Sequence, residues 1–196
     1  AKSLEDDSLR LLIGLELSTE HNQESIHILG YFNSEEGLEG LDKFLMDQRA
    51  SRLKRAYKIK DKLLQHFQID LDMDFVKNIS SVTRGSIARE IIEQGYPYKK
   101  EEIFSKMIGE NAPAYLPSTK LTTEDGIKII HQYGGLAILA HPVLIKKTRI
   151  EDFIKMGIDG IEAIYPANNK SDEDRLLALA KKHNLLVTGG SDFHNE

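Results

Sequence analysis

The chain has 196 residues, 40% of them hydrophobic and 29% charged, with a formal charge of −5 and a pI near 5.8. That length suits one domain, or one domain with a large insertion, around a substantial core, and the acidity argues against a broad, sequence-indifferent nucleic-acid surface. The lack of cysteine excludes disulfides, thiolate zinc sites and cysteine nucleophiles, so any metal must be held by His, Asp and Glu. No apolar run approaches the roughly 18 residues of a membrane span. The first residues carry no signal-peptide pattern, and a cytoplasmic location is expected.

Residues 9–19 read as an apolar strand interrupted by Glu16. A lone carboxylate in such a strand is costly to bury unless it is paired or bound to a metal. Residues 25–32 read as a second strand, interrupted in the same way by His27, and residues 20–23 between them form a polar hairpin loop. If the two strands pair, Glu16 and His27 share a site.

From 34 to 126 the pattern turns helical. Residues 37–67 are rich in Lys, Arg, Leu and Ala at helical spacing, and 49–62 are locally very basic. A solvated helix face accounts for that charge run, and a lip attracting a polyanion is the functional alternative. Shorter helices are expected over 72–78, from Ser86 to Gln94 with Gly95 as its stop, and from Lys100 to Ile108. Two places in this block suit phosphate. One is Arg84, just before a helix start with free N–H groups. The other is the 115–120 loop, which offers hydroxyls and Lys120.

Residues 123–133 form an amphipathic helix ended by Gly134 and Gly135, and 136–140 form a buried strand. Pro142 stops ladder pairing, so His141 stands at the strand's C-terminal end. A helix over 149–156, a strand over 160–165 and a helix over 171–183 follow. A last apolar strand then breaks at Gly189 and Gly190 and delivers Ser191, Asp192, Phe193 and His194. If the backbone stays extended there, residues i and i+2 point the same way and Asp192 and His194 converge; the alternative is that Asp192 caps a turn and His194 is a surface residue. A carboxylate and an imidazole at a strand's C-terminal end suit Zn, Mn or Fe. Strands and helices that alternate in this way indicate parallel α/β organisation, most simply part of a barrel.

Four motifs, in order, resemble the polymerase-and-histidinol-phosphatase (PHP) domain family: residues 14–18 around Glu16, 26–30 around His27, 140–142 around His141, and 190–194. Residues 84–89 with Gly95 and Tyr96, and 114–117, resemble the branch acting on nucleotide 3′,5′-bisphosphates and RNA 5′ ends. The resemblance implies a distorted (β/α)7 TIM-like barrel, with 1–33 and 127–196 as a partial barrel and 34–126 as a helical insertion capping the site. It implies Glu16, His27, His141, Asp192 and His194 as metal ligands, with Glu16, Asp192 and His194 central to catalysis. Arg84 and Lys120 are implied as substrate-phosphate contacts. The cofactors implied are Mn, Zn or Fe ions, two or three in a complete site. The function implied is metal-dependent hydrolysis of a phosphate ester on a nucleotide or short RNA, with no membrane partner. Two features depart from the family pattern. The His-x-His strand with which the family opens is not among these residues, so a barrel lacking its first strands is expected. Ser86 stands where Arg-x-His-Ile-Ala would carry its histidine. A non-catalytic module of the same fold is the alternative from another class, and an amidohydrolase cleaving C–N bonds is a third reading.

Overall fold

The structure, a computed structural model, describes residues 11–79, 81–117 and 121–193. It divides into two compact units: residues 1–40 with 120–196, and residues 41–119.

The first unit is built on a six-stranded sheet. Its strands are β1 (Ile13–His21), β2 (Glu24–Phe32), β3 (Leu121–Thr122), β4 (Leu136–Leu139), β5 (Gly160–Ile164) and β6 (Leu186–Gly189), in the order β3-β1-β2-β4-β5-β6. β1 and β2 form an antiparallel hairpin. Asn22 and Gln23 both have positive φ at its tip, which is the tight turn that matches strand twist. β2 meets β4 antiparallel, and β4, β5 and β6 run parallel. The parallel half follows the expected alternation of strands and helices. Among the described residues the sheet is open, with β3 and β6 at its edges, and does not close into a barrel.

Period-two alternation fixes which side chains face the core. On the hairpin, Leu17, Thr19, Ile26, Ile28 and Phe32 are buried. The helix α4 (Thr123–Gln132) packs on that face and contributes Ile127 and Ile130. The buried Thr19 hydroxyl donates to Ile26 O at 2.7 Å and lies 2.9 Å from the Thr123 hydroxyl, which pins helix to strand. Glu16, Ser18 and His27 are thereby turned to the opposite face. The helices α5 (Ile150–Met156) and α6 (Lys170–His183) complete the unit, and α6 packs on β5 and β6.

The second unit is helical and has its own core. It is formed by α1 (Glu39–Phe67), α2 (Arg84–Glu93) and α3 (Lys100–Ile103), which runs on into a single π-helical turn at Phe104–Ile108. Ile59 and Leu63 of α1, Leu71, Ile87 and Ile91 of α2, and Ile103, Met107 and Ile108 are all essentially inaccessible. The expected helix start at Ser86 moves to Arg84, because Thr83 caps it. The Thr83 side chain accepts from Ser86 N at 3.0 Å, and Ser86 Oγ accepts from Thr83 N at 2.9 Å. Ser86, which departs from the family pattern, is thus engaged in a capping box. Among the described residues no helix is long and apolar enough to cross a membrane.

Candidate metal centre

The hairpin register brings the first two candidate residues together. Ser18 pairs with His27 and Glu16 with Leu29, so Glu16 and His27 are diagonal neighbours on one face. Glu16 Oε1 lies 2.5 Å from His27 Nδ1.

His141 arrives from the next strand over. Ala140 N donates to His27 O at 3.1 Å, which extends the β2–β4 pairing to the end of β4. The chain then turns sharply, with His141 at φ 30° and ψ 58° before Pro142. That conformation is uncommon for a residue with a side chain, and a following proline disfavours it further. It directs the imidazole back over the hairpin. Nε2 of His141 reaches 3.8 Å from Glu16 Oε1, and the two imidazole rings sit 5.1 Å apart edge to face.

One donor atom from each of Glu16, His27 and His141 lies within 4.8 Å of the other two. Nδ1 of His27 and both ring nitrogens of His141 are buried without a hydrogen bond among the described residues, so the short Glu16–His27 contact is not aligned as one. Buried polar atoms are rarely left so. One carboxylate and two imidazoles with donor atoms this close together fit a divalent cation of the Zn, Mn or Fe type. The charges are interdependent. The imidazoles of His141 and then His27 hold the Glu16 carboxyl well below the usual range, against the opposing effect of burial. Glu16 in turn is the main cause that raises His141.

Asp192 follows β6 and stands beside this cluster without joining its tight set. Tyr165 OH donates weakly to Asp192 Oδ2 at 3.5 Å, the Tyr165 ring lies 5.7 Å from that of His141, and the Asp192 charge helps raise His141. His194 and Lys120 lie outside the described residues. Arg84 belongs to the helical unit. Its guanidinium lies over the Tyr115 ring at 5.3 Å and donates to Ile108 O at 3.4 Å.

One residue of this site escaped the sequence reading. Glu162 on β5 is 4% exposed, and its Oε2 accepts the His141 N–H at 2.8 Å. A Cβ on Gly190, the residue after β6, would collide with the Glu162 carboxylate, which favours glycine at that point. The available signal was the one that singled out Glu16: a lone carboxylate inside an apolar strand.

No protein-family model matches the chain. It is 31% identical over 196 residues to the 5′-3′ exoribonuclease Rnm of Escherichia coli, covering 95% of this chain and 66% of that protein. It is 31% identical to a 5′-3′ exoribonuclease of Haemophilus influenzae, covering 95% of this chain and 70% of that one. A 3′,5′-nucleoside bisphosphate phosphatase of Chromobacterium violaceum is 28% identical, with 93% of this chain and 67% of that protein covered. A crystal structure described as a metal-dependent phosphoesterase of Bifidobacterium adolescentis superposes with a TM-score of 0.69 at 27% identity, over 96% of this chain and 70% of that one. The chain therefore spans about two thirds of the length of these relatives.

Proposed function

Since the chain belongs to the PHP-domain phosphoesterase family, in the branch of the 5′-3′ exoribonucleases, we propose that it hydrolyses a phosphate ester of a nucleotide 3′,5′-bisphosphate or an RNA 5′ end. The observation that carries this reading is the convergence of Glu16, His27 and His141, three donor atoms within 4.8 Å of one another. When bound there, a divalent cation supplies Lewis acidity, which makes hydroxide available near neutral pH and offsets charge on phosphoryl oxygens. Glu16 is a ligand whose carboxyl the two imidazoles hold well below the usual range, which favours its ionised form. His27 and His141 offer neutral nitrogens, and Glu162 fixes the orientation of His141 through its backbone. Asp192 is a further ligand or a positioning carboxylate at the rim; its φ of 50° is not extended, so the two-residue spacing does not carry His194, which is proposed as a ligand on its place in the family-like motif at 190–194. Arg84 and Lys120 are proposed as contacts to substrate phosphate.

The open sheet is read as an arc of the family's distorted (β/α)7 barrel. The parallel run β4-β5-β6 supports this, as do the exposed apolar side chains of Ile164, Leu186 and Val187 at its outer end.

The test pairs elemental analysis with phosphate release. Protein purified without chelator is expected to carry Mn, Fe or Zn and to release phosphate from adenosine 3′,5′-bisphosphate. Glu16→Ala and His141→Ala are expected to lose the metal and at least 100-fold in rate, on the order of removing one essential electrostatic group. Full metal content and full activity in both variants would sink the assignment. Cleavage of a C–N substrate without phosphate release would favour the amidohydrolase reading instead.

A further inference from the structure

The helical unit carries a second feature that the metal centre does not use. Several lysines elsewhere on the molecule are answered locally: Lys77 by Asp74, Lys106 by Glu102, Lys128 by Glu124, Lys155 by Asp152 and Lys170 by Asp174. The middle of α1 gathers five basic residues without such partners within ten positions. Among the described residues Arg49, Arg52, Lys54, Arg55 and Lys58 have no ion-pair partner, although the chain as a whole is acidic.

The arginines are held in place by neutral acceptors. Arg49 donates to Ile79 O at 3.0 Å and Arg52 to Ser81 Oγ at 2.7 Å. Arg55 donates from Nε and Nη2 to Leu116 O at 3.0 and 2.6 Å. These bonds orient the guanidiniums without neutralising them. Burial, and then the nearby Arg84 charge, lower the pKa of Arg55 against the smaller opposing effect of Tyr115. A groove of about 340 Å³ runs here, lined on one side by Arg52, Lys54, Arg55 and Lys58 and on the other by Leu116 and Pro117.

Lys54 and Lys58 are one turn apart on the same exposed stripe, about 6 Å along the axis. From Arg49 to Lys58 the row covers about 13 Å. That is longer than a single phosphate, and it suits the repeating charge of a strand.

We propose that this groove binds the phosphodiester backbone of a single-stranded RNA, so that the protein holds an oligonucleotide more tightly than a mononucleotide. The proposal deepens the phosphoesterase reading and rests on it for the choice of RNA. The contacts are to phosphate, so they position the strand and do not read its bases. The uncompensated row is short and local, which reconciles it with a net charge of −5.

The test is fluorescence anisotropy of a labelled oligoribonucleotide of about ten residues with the full chain in EDTA, between about 50 and 200 mM salt. Wild-type affinity is expected to fall with salt, with a slope near −2 if about three phosphates are engaged. Lys54→Glu with Lys58→Glu is expected to weaken binding at least 10-fold and flatten the slope, and Lys54→Arg with Lys58→Arg to restore both. Turnover of adenosine 3′,5′-bisphosphate with Mn is expected to stay unchanged in the charge-reversed protein. Equal RNA affinity in wild type and the charge-reversed variant would overturn the proposal, as would wild-type binding no tighter than that of the bisphosphate. The two readings fail separately. Strand binding in EDTA without any phosphate release in Mn would remove the phosphoesterase reading and leave the groove.

Discussion

His141 occupies the least favourable backbone conformation of the site, and the structure shows what holds it there. A left-handed residue before proline is disfavoured twice over. Its N–H is tied to Glu162 and its carbonyl accepts from Leu144 N at 3.0 Å. Strain of this kind persists only where the surroundings over-determine it. Glu162→Ala is therefore expected to cost about 1–3 kcal/mol, because it leaves a buried N–H without an acceptor. It is also expected to weaken metal binding about 10- to 100-fold, the usual effect of losing a group that orients a ligand. Glu162→Gln keeps an acceptor in the same place and should recover most of both. Calorimetric unfolding and metal titration of the two variants check this. Wild-type stability and affinity in Glu162→Ala would show that His141 is held by other means.

At the scale of elements, the β1–β2 hairpin does two jobs. It presents Glu16 and His27 on one face, and at its tip it clamps the segment that follows His141. Glu24 accepts from Lys146 N at 2.6 Å and from Lys147 N at 3.1 Å. Burial alone would raise the Glu24 carboxyl, but backbone N–H donors from Lys146, Lys147 and Thr148 outweigh it and the group is lowered. A lowered carboxyl contributes stability above its ordinary range and loses it as the pH falls below that range. Glu24→Ala is expected to cost about 1 kcal/mol and to speed amide exchange at Lys146 and Lys147 while leaving the β1–β2 amides protected. Unchanged exchange at those two amides would count against the clamp. The hairpin and its polar intruders were legible in the sequence, because period-two alternation makes a buried-side Ile26 and an opposite-side His27 unambiguous. His141 was legible from the proline behind it. The antiparallel pairing of β2 with β4 was not, since no local pattern records which strand lies beside another a hundred residues away. The two-residue strand β3 was too short to show any period. Glu162 was overlooked although its strand reads like that of Glu16, because its partner is a backbone N–H, which leaves no trace in a sequence.

At the scale of the whole molecule, the charges at the metal centre link metal content to folding. Glu16 is lowered by His141 and His27, so its contribution is present above the ordinary carboxylate range and is lost progressively as the pH falls below that range. His141 is raised, chiefly by Glu16, so its contribution is complete below the ordinary histidine pKa and is lost as the pH climbs through the raised value. The metal-free chain is therefore expected to become less stable from about pH 6.5 upward, by at most about 1.4 kcal/mol per pH unit. Partial exposure of the pair reduces that slope. A divalent cation competes with the same proton, so its affinity rises over the same window. Thermal unfolding in EDTA and in Mn should thus diverge as the pH is raised from about 6 to about 9: Tm falls in EDTA, and the gap opened by Mn widens. Glu16→Gln, which removes the charge that raises His141, should flatten the EDTA curve. Parallel curves with and without Mn would mean that the proton on His141 and the cation do not share a site. A Glu16→Gln curve in EDTA identical to wild type would mean that Glu16 does not govern the titration of His141.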